Sequence, residues 1–316
     1  MISRRIIRTK VMQIIFAHFT SPDKTINAAE KELFFSMQKS YDLYHLLLLL
    51  PIELKNYALE KMELARNKHL PSYKDLNPNT KFTSNRIIEE LENCPSLNNY
   101  TKANSLTWGN YPEFVRKLFL TLEESEFYKK YMENEAKSFE EDKKLLDSLY
   151  KEIILPNEDL DHVLEEQSIF WNDDINFIIS MTQKTIKRFK EFTVDGQKLM
   201  PWFKDEEDRM FARDLLRKSL VHHSENRDLI EKHIRNWDID RVAVVDRMIL
   251  ELAITEFIHF PSIPTKVTLN EYIDLSKNYS SEKSKTFING ILDKILKELR
   301  VEGKIEKIGR GLLGEE

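Results

Sequence analysis

Helix breakers are scarce in this chain. Of 316 residues only 7 are glycine and 10 are proline. Glycine disfavours a helix by its backbone freedom, proline by its missing N–H and its ring. A chain so poor in both is expected to run mostly as long helices. Hydrophobic residues make up 41% and charged residues 32%, the balance of a folded, soluble protein rather than a disordered one. The length suffices for one large domain or two ordinary ones with a sizeable core. The formal net charge of −5 argues mildly against nucleic acid as a partner, until its distribution is considered.

The longest apolar run, Leu46 to Leu50, ends at Pro51 and is far too short to span a bilayer. Met1 to Phe19 is basic and apolar like a targeting peptide. Lys10, Gln13 and His18 interrupt any signal core, however, and no small-residue cleavage site follows. An organelle transit peptide is the alternative that composition leaves open. The single cysteine, Cys94, can form neither an internal disulfide nor a multi-cysteine zinc site, which fits a reducing, cytoplasmic setting.

Apolar spacing divides the chain. Ile7, Val11, Ile14 and Ile15 predict a helix over Ser3 to Phe19, with Ser3 as N-cap and Ser21-Pro22-Asp23 closing it. A second helical block is expected over Ile26 to Lys68 with a break near Pro51. Turns are expected from Pro71 to Trp108, at Asn77-Pro78-Asn79, Cys94-Pro95-Ser96 and Asn98-Asn99. A third block covers Pro112 to Ile154. A fourth covers Leu160 to Phe192, broken near Trp171-Asn172-Asp173-Asp174. Val194-Asp195-Gly196 and Met200-Pro201-Trp202 mark the next boundary. Residues 1–20 thus form a first helix, 21–205 an insert (21–40 of it assignable to the terminal bundle), 206–300 a compact helical core, and 301–316 a mobile tail.

Within the core, Val245, Met248, Ile249, Leu252 and Ala253 give Asp240 to Phe257 the apolar face of a central helix. Pro261 and Pro264 then predict an extended Thr265-Lys266-Val267. Thr268 with Glu271 reads as a capping box for the next helix, which ends near Asn278. Asn289-Gly290 has the form of a hairpin turn. Phe287, Ile288, Ile291, Leu292 and Ile295 nevertheless keep helical spacing across it, so the pair is placed inside a helix. Glycine there costs about 1 kcal/mol relative to alanine, which suggests a close approach by another backbone or by a ligand.

Three strings carry a resemblance. They are Pro264-Thr265-Lys266-Val267-Thr268-Leu269-Asn270-Glu271, Leu275-Ser276-Lys277-Asn278-Tyr279, and Ser284-Lys285-Thr286-Phe287-Ile288-Asn289-Gly290-Ile291-Leu292-Asp293. Together with Arg213 to Leu216, Asp246 to Leu250 and Ala253 to Glu256, they resemble the C-terminal signature of the NusB family. Arg4, Arg5 and Arg8 fall on that family's arginine-rich RNA-binding motif and Gln13 on its following glutamine. The resemblance covers about a third of the chain. It implies an all-α fold of NusB-like helical bundles, here with an additional inserted helical subdomain. It further implies a transcription antitermination factor that binds boxA-like single-stranded RNA with the NusE-type ribosomal protein during rRNA transcription and joins the RNA polymerase antitermination complex. By the same resemblance the protein is no enzyme and needs no cofactor.

The residue chemistry gives the first helix its own argument. Arg4, Arg5, Arg8 and Lys10 are positive, and no acid precedes Asp23. Cations at a helix N-terminus oppose the helix dipole, so phosphates are a natural source of the missing negative charge. The i, i+3 and i+4 spacing of the arginines predicts one shared side. A solvated basic helix end, or a helix lying on a membrane surface, is the plainer reading of the same pattern. At the other end, Tyr279 and Phe287 fall where the family places RNA-contacting aromatics. Asn289 can donate and accept, and Lys283 and Lys285 add charge. For Phe287, a plain core position is an equal competitor. Two departures stand out: Ile6 where the family often has a third arginine, and Lys283 where an acid is common.

Other candidate sites persuade less. Adjacent His222 and His223, with His233 further on, lack any metal-binding helical pattern. Asp173-Asp174 reads as a solvent-facing helix start and Glu140 to Asp142 as a solvated face. Cys94 has no evident activating partner, and the tail glycines lack the lysine of a phosphate loop. Two alternatives to the RNA-binding reading are a helical protein-binding scaffold and an RNA methyltransferase accessory domain. The latter requires a glycine-rich cofactor loop and a catalytic cysteine motif, neither of which occurs.

Overall fold

The structure, a computed structural model, describes residues 1–21, 25–193, 196–234 and 241–314. Its helices in chain order are α1 (Arg4–Thr20), α2 (Ile26–Arg66), α3 (Tyr73–Leu76), α4 (Arg86–Glu92), α5 (Pro95–Ala103), α6 (Pro112–Glu124), α7 (Glu126–Glu133), α8 (Phe139–Ser148), α9 (Glu158–Gln167), α10 (Ile175–Arg188), α11 (Glu206–Val221), α12 (His223–His233), α13 (Val244–His259), α14 (Thr265–Tyr279) and α15 (Glu282–Val301). Among the described residues there is no β-strand, only an isolated bridge between Ile2 and Phe203. The fold is all-α. Pro22 and Asp23 of the first expected break, Val194-Asp195, and the Asp240 start of the central helix lie outside the described residues.

The chain divides into two compact units. One comprises residues 2–37 and 203–316, the other Met1 and residues 38–202. Helix α2 supplies its residues up to Met37 to the first and those from Gln38 to the second.

In the second unit α2 is unbroken through Pro51, where the sequence predicted a break. Proline cannot donate the hydrogen bond that a helix would direct to the carbonyl four residues back. That carbonyl belongs to Leu47, and the buried Tyr150 hydroxyl donates to it at 2.7 Å instead. The neighbouring Leu46 carbonyl also accepts from Trp108 Nε1 at 2.8 Å. Distant side chains therefore satisfy the backbone where proline would break the helix. Leu46, Leu47, Leu48 and Leu50 are all buried, so α2 is the axis of this unit's core.

The other elements differ from expectation mainly in length. Cys94-Pro95-Ser96 begins α5 with proline in the first turn, where its missing N–H is harmless, and Asn98-Asn99 lie within that helix. The single block expected over Pro112 to Ile154 is α6, α7, α8 and a π-helical turn at Leu149–Ile154. Ser125 and Ser138 cap α7 and α8 through their hydroxyls. Asp174 is buried and bonded to the Ser40 hydroxyl, not solvent-facing.

In the first unit α13 is buried on nearly every side, from Met248 to Phe257, and α1, α11, α12, α14 and α15 pack against it. A helix buried around nearly its whole circumference occupies the centre of a bundle. Helix α14 starts at Thr265, one turn earlier than predicted, because Pro264 occupies its N-cap position. Thr268 is therefore not a cap. Its hydroxyl is buried and donates to Glu256 at 2.8 Å. Asn289-Gly290 lies inside α15, as its spacing indicated.

The segment after Val301, expected to be loose, folds back onto the C-terminal end of α13. Lys307 Nζ donates to the carbonyls of Phe257 and Phe260, each at 3.0 Å, and the Ile308 N–H donates to Pro261 O at 3.0 Å. Gly311 is buried so tightly that a Cβ would stand 1.9 Å from Pro261 O. The terminal carbonyls of α13 thus take their hydrogen bonds from this segment.

Candidate nucleic-acid interface

Ser3 occupies the N-cap position of α1, but its side chain makes no capping bond. The first-turn cations are neutralised by carboxylates of other helices. Arg4 donates to Glu207 at 2.6 Å and to Asp208 at 2.8 Å on α11, and its guanidinium stands 5.1 Å from the Phe211 ring centre. Partial burial works against its charge, but the two carboxylates outweigh this and raise its pKa. Arg5 donates to Asp274 on α14 at 2.6 Å and stays about half exposed, at 53%.

Arg8 points inward. Its Nε and Nη2 donate to the two oxygens of Glu256 at 2.8 and 2.7 Å, and its Nη1 to Glu271 at 3.4 Å. Glu256 is fully buried and also accepts from Tyr272 at 3.0 Å and from Thr268. Burial opposes the Arg8 charge, yet the Glu256 carboxylate holds the pKa well above the usual arginine value. Burial and the same carboxylate drive the Tyr272 hydroxyl well above its usual range. The carboxylate thus joins α1, α13 and α14 through charge-assisted bonds.

The shared arginine face predicted from spacing is therefore not presented: Arg4 is committed to α11, Arg5 to α14 and Arg8 to the interior. Lys10 is buried and Gln13 half-buried, each with interactions of its own. Arg5 is the exposed cation of this motif.

At the start of α15 a different group comes together. Phe287, Lys283 and Ser284 line an open groove of about 460 Å³ with Arg241, Val242, Ala243 and Asp246. Ser281 caps α15 through its hydroxyl and so fixes where Lys283 and Phe287 emerge. Asp246 is buried in the first turn of α13 and accepts from the Ser280 hydroxyl, tying the α14–α15 connection to α13. Phe287 is half-buried, with one part in the bundle and one facing the groove. Tyr279 and Lys285 are half-buried and Asn289 exposed, and none of them lines the groove.

Gly290 is exposed, and a Cβ in its place would meet only open space. Of the two compensations expected there, a close backbone or a ligand, the first does not occur: no backbone approaches Gly290 among the described residues. Arg241 escaped the sequence reading, since it precedes α13 as one cation among many and no spacing ties it to α15. The described residues contain no group of histidine, cysteine or acidic side chains arranged to hold a metal. His222 instead bonds Glu225 and stacks on His259, while His223 and His233 meet Glu251 and Glu298.

One apolar central helix, an internal ion-pair hub and a groove rimmed by cations and an aromatic ring define an all-α bundle protein with a surface site. The family model described as "NusB family" matches residues 177–297. The "Transcription antitermination protein NusB" of Salinibacter ruber is 43% identical over 115 residues, covering 36% of this chain and 72% of that protein. Proteins of the same name from Chloroherpeton thalassium and Myxococcus xanthus are 38% and 44% identical, over 50% and 61% of their own lengths and 32% and 27% of this chain. A solved T. maritima NusB chain is 28% identical over 43% of this chain and 81% of its own, with a TM-score of 0.29, too low to bear on the fold. The chain belongs to the NusB family.

Proposed function

We propose that this protein is a cytoplasmic, RNA-binding transcription antitermination factor. In this reading it binds boxA-like single-stranded RNA together with a NusE-type ribosomal protein and acts within the RNA polymerase antitermination complex. The observation that carries the reading is the groove, where an aromatic ring stands beside two cations, Lys283 and Arg241. Unstacked RNA bases bind by stacking on aromatic faces while cations meet the phosphates. Arg5, half exposed on α1 and paired with Asp274, joins the proposed contact set. Tyr279, Lys285 and Asn289 flank the groove in sequence and complete the proposed contact set, with Arg4 and Gln13 at its edge. Arg8 and Lys10 enter as buried supports rather than as contacts. Family membership supports the antitermination role. No helix among the described residues is long and apolar enough to cross a membrane.

An electrophoretic shift assay tests this. BoxA-like and scrambled RNAs are titrated with wild type, Phe287→Ala and Lys283→Ala, each with and without a NusE-type protein. The expected result is preference for the boxA-like RNA and a loss of about tenfold with Phe287→Ala, since stacking contributes roughly 1–3 kcal/mol per base. Equal binding of both RNAs, or of wild type and both variants, overturns the reading. The scaffold alternative gains if the NusE-type protein binds while no RNA does.

A further inference from the structure

The groove beside Phe287 also holds a carboxylate. Asp246 is only 3% exposed, yet it lines the groove with Arg241, Lys283 and Phe287. The Ser280 hydroxyl donates to its Oδ1. Its Oδ2 receives no hydrogen bond among the described residues and is not sealed from solvent. A largely buried carboxylate oxygen without a donor is costly, and its complement is an N–H group of whatever fills the groove. The carboxylate is held from two sides. Asp246 stands in the first turn of α13, where the helix dipole favours an acid, and the Ser280 bond fixes the turn of the carboxyl group. Arg241 and Lys283 are exposed and make no ion pair among the described residues. Glu282, exposed beside Lys283 in the chain, does not line the groove.

We propose that Asp246 reads a guanine stacked on Phe287, an inference that rests on the RNA-binding function proposed above. A carboxylate repels phosphate. The strand's backbone is therefore held by Arg241 and Lys283, and a base edge meets Asp246. The four bases offer it different edges. Guanine presents two adjacent donors, its N1 imino and N2 amino groups. Adenine and cytosine present one amino group beside a ring nitrogen that accepts. Uracil presents one imino group between two carbonyl oxygens. Those neighbouring acceptors turn a partial negative charge toward the carboxylate, whereas guanine can meet it with donors alone. The groove, at about 460 Å³, has the room of a small-ligand pocket.

The test titrates the full chain with short oligouridines carrying one central guanine, inosine, adenine or cytosine, and with a boxA-like RNA, read by fluorescence anisotropy. Inosine is guanine without the N2 amino group, so it breaks the donor pair and changes little else. The expected result is at least about tenfold tighter binding of the guanine strand than of the other three, since hydrogen bonds to charged groups are the stronger kind. Asp246→Asn keeps the side chain's shape and a carbonyl oxygen for Ser280 but turns an amide N–H toward the groove. It is expected to level the four strands. Ser280→Ala removes the tie to the α14–α15 connection and keeps the carboxylate, so the guanine preference should persist. Equal binding of the guanine and inosine strands by wild type overturns the proposal, and that measurement needs no variant to fold. A preference that survives Asp246→Asn also overturns it. So does a preference that Ser280→Ala abolishes as fully as Asp246→Asn, which would make Asp246 a positioning residue only. If the boxA-like RNA binds while the four strands bind alike or not at all, this inference alone fails. If no RNA binds, the proposed function fails with it.

Discussion

Replacing Arg8 by methionine tests whether this arginine supports the interface or belongs to it. The substitution keeps most of the side chain's volume and removes its charge. Glu256 is then left in the interior with only the Thr268 and Tyr272 hydroxyls as donors, and Glu271 loses its partner. Breaking one half of a buried ion pair costs roughly 3–5 kcal/mol, because the remaining charge is desolvated without compensation. In a unit of about 150 residues each kcal/mol lowers the melting temperature by roughly 2–4 °C, so a fall of about 10 °C is expected. Adding Glu256→Gln to Arg8→Met removes the stranded charge and should recover a large part of the loss. Melting of all four proteins in a double-mutant cycle measures the coupling directly.

RNA binding, measured well below the melting temperature, separates the two roles. A phosphate contact to single-stranded RNA contributes about 0.7 to the log–log salt slope. Loss of Arg8 should leave that slope unchanged, whereas Arg5→Ala should flatten it by about that amount. The reasoning is refuted if Arg8→Met destabilises the protein by less than about 1 kcal/mol while flattening the slope. That outcome would mean that the guanidinium faces RNA and that the buried pairing has little energetic weight.

Further outcomes can be checked separately. Burial pulls His45 down to about 4 from its ordinary value, against the opposing effects of its hydrogen bond to the Tyr41 carbonyl and of Asp42. The unfolded chain therefore binds the extra proton first. Stability should fall by about 3 kcal/mol as pH drops from near 6.5 to near 4, and His45→Phe should flatten that part of the denaturation profile. Tyr150→Phe orphans the Leu47 carbonyl and should cost about 1–3 kcal/mol. In a Pro51→Ala background the backbone N–H returns, and the same change should cost less than half as much. Gly290→Ala should stabilise the free protein by about 1 kcal/mol, since its Cβ meets open space. Weaker boxA-like RNA binding in that variant would place RNA against the bare helix surface. Gly311→Ala should lift the C-terminal segment off Pro261, seen as faster proteolysis after Val301.

The helical character was legible because it rests on periodicity and on the shortage of helix breakers. The buried faces of α1 and α13 followed from spacing alone, and so did the helical placement of Asn289-Gly290. The misreadings share one cause, which is tertiary groups overriding local rules. Pro51 breaks no helix because Tyr150, far along the chain, answers the Leu47 carbonyl. Thr268 caps nothing because Glu256 takes its hydroxyl. The i, i+4 spacing of Arg4 and Arg8 predicts a common side, but a wide side can be divided among neighbours, and α11, α13 and α14 each supply carboxylates that claim one arginine. Sequence spacing defines which way a side chain leaves its helix and says nothing of what waits there.

The distribution of charge leads to a last expectation. The net charge of −5 hides an uneven division: residues outside 38–202 carry 26 Lys and Arg against 25 Asp and Glu. The NusB-like unit is thus close to neutral, and Arg4 and Arg8 are neutralised by its own carboxylates. A protein that met RNA through a broad basic surface would shed many counterions and bind with steep salt dependence. Under the proposed reading the cations that meet phosphates are Arg5, Lys283, Lys285 and Arg241, so the log–log salt slope for single-stranded RNA should be only about 3. On that reading most of the selectivity is expected from base stacking on Phe287, which salt weakens little. A measured slope above about 4 would mean that the internal ion pairs of α1 open on binding and release their arginines to the RNA, which contradicts the division of roles drawn from the structure.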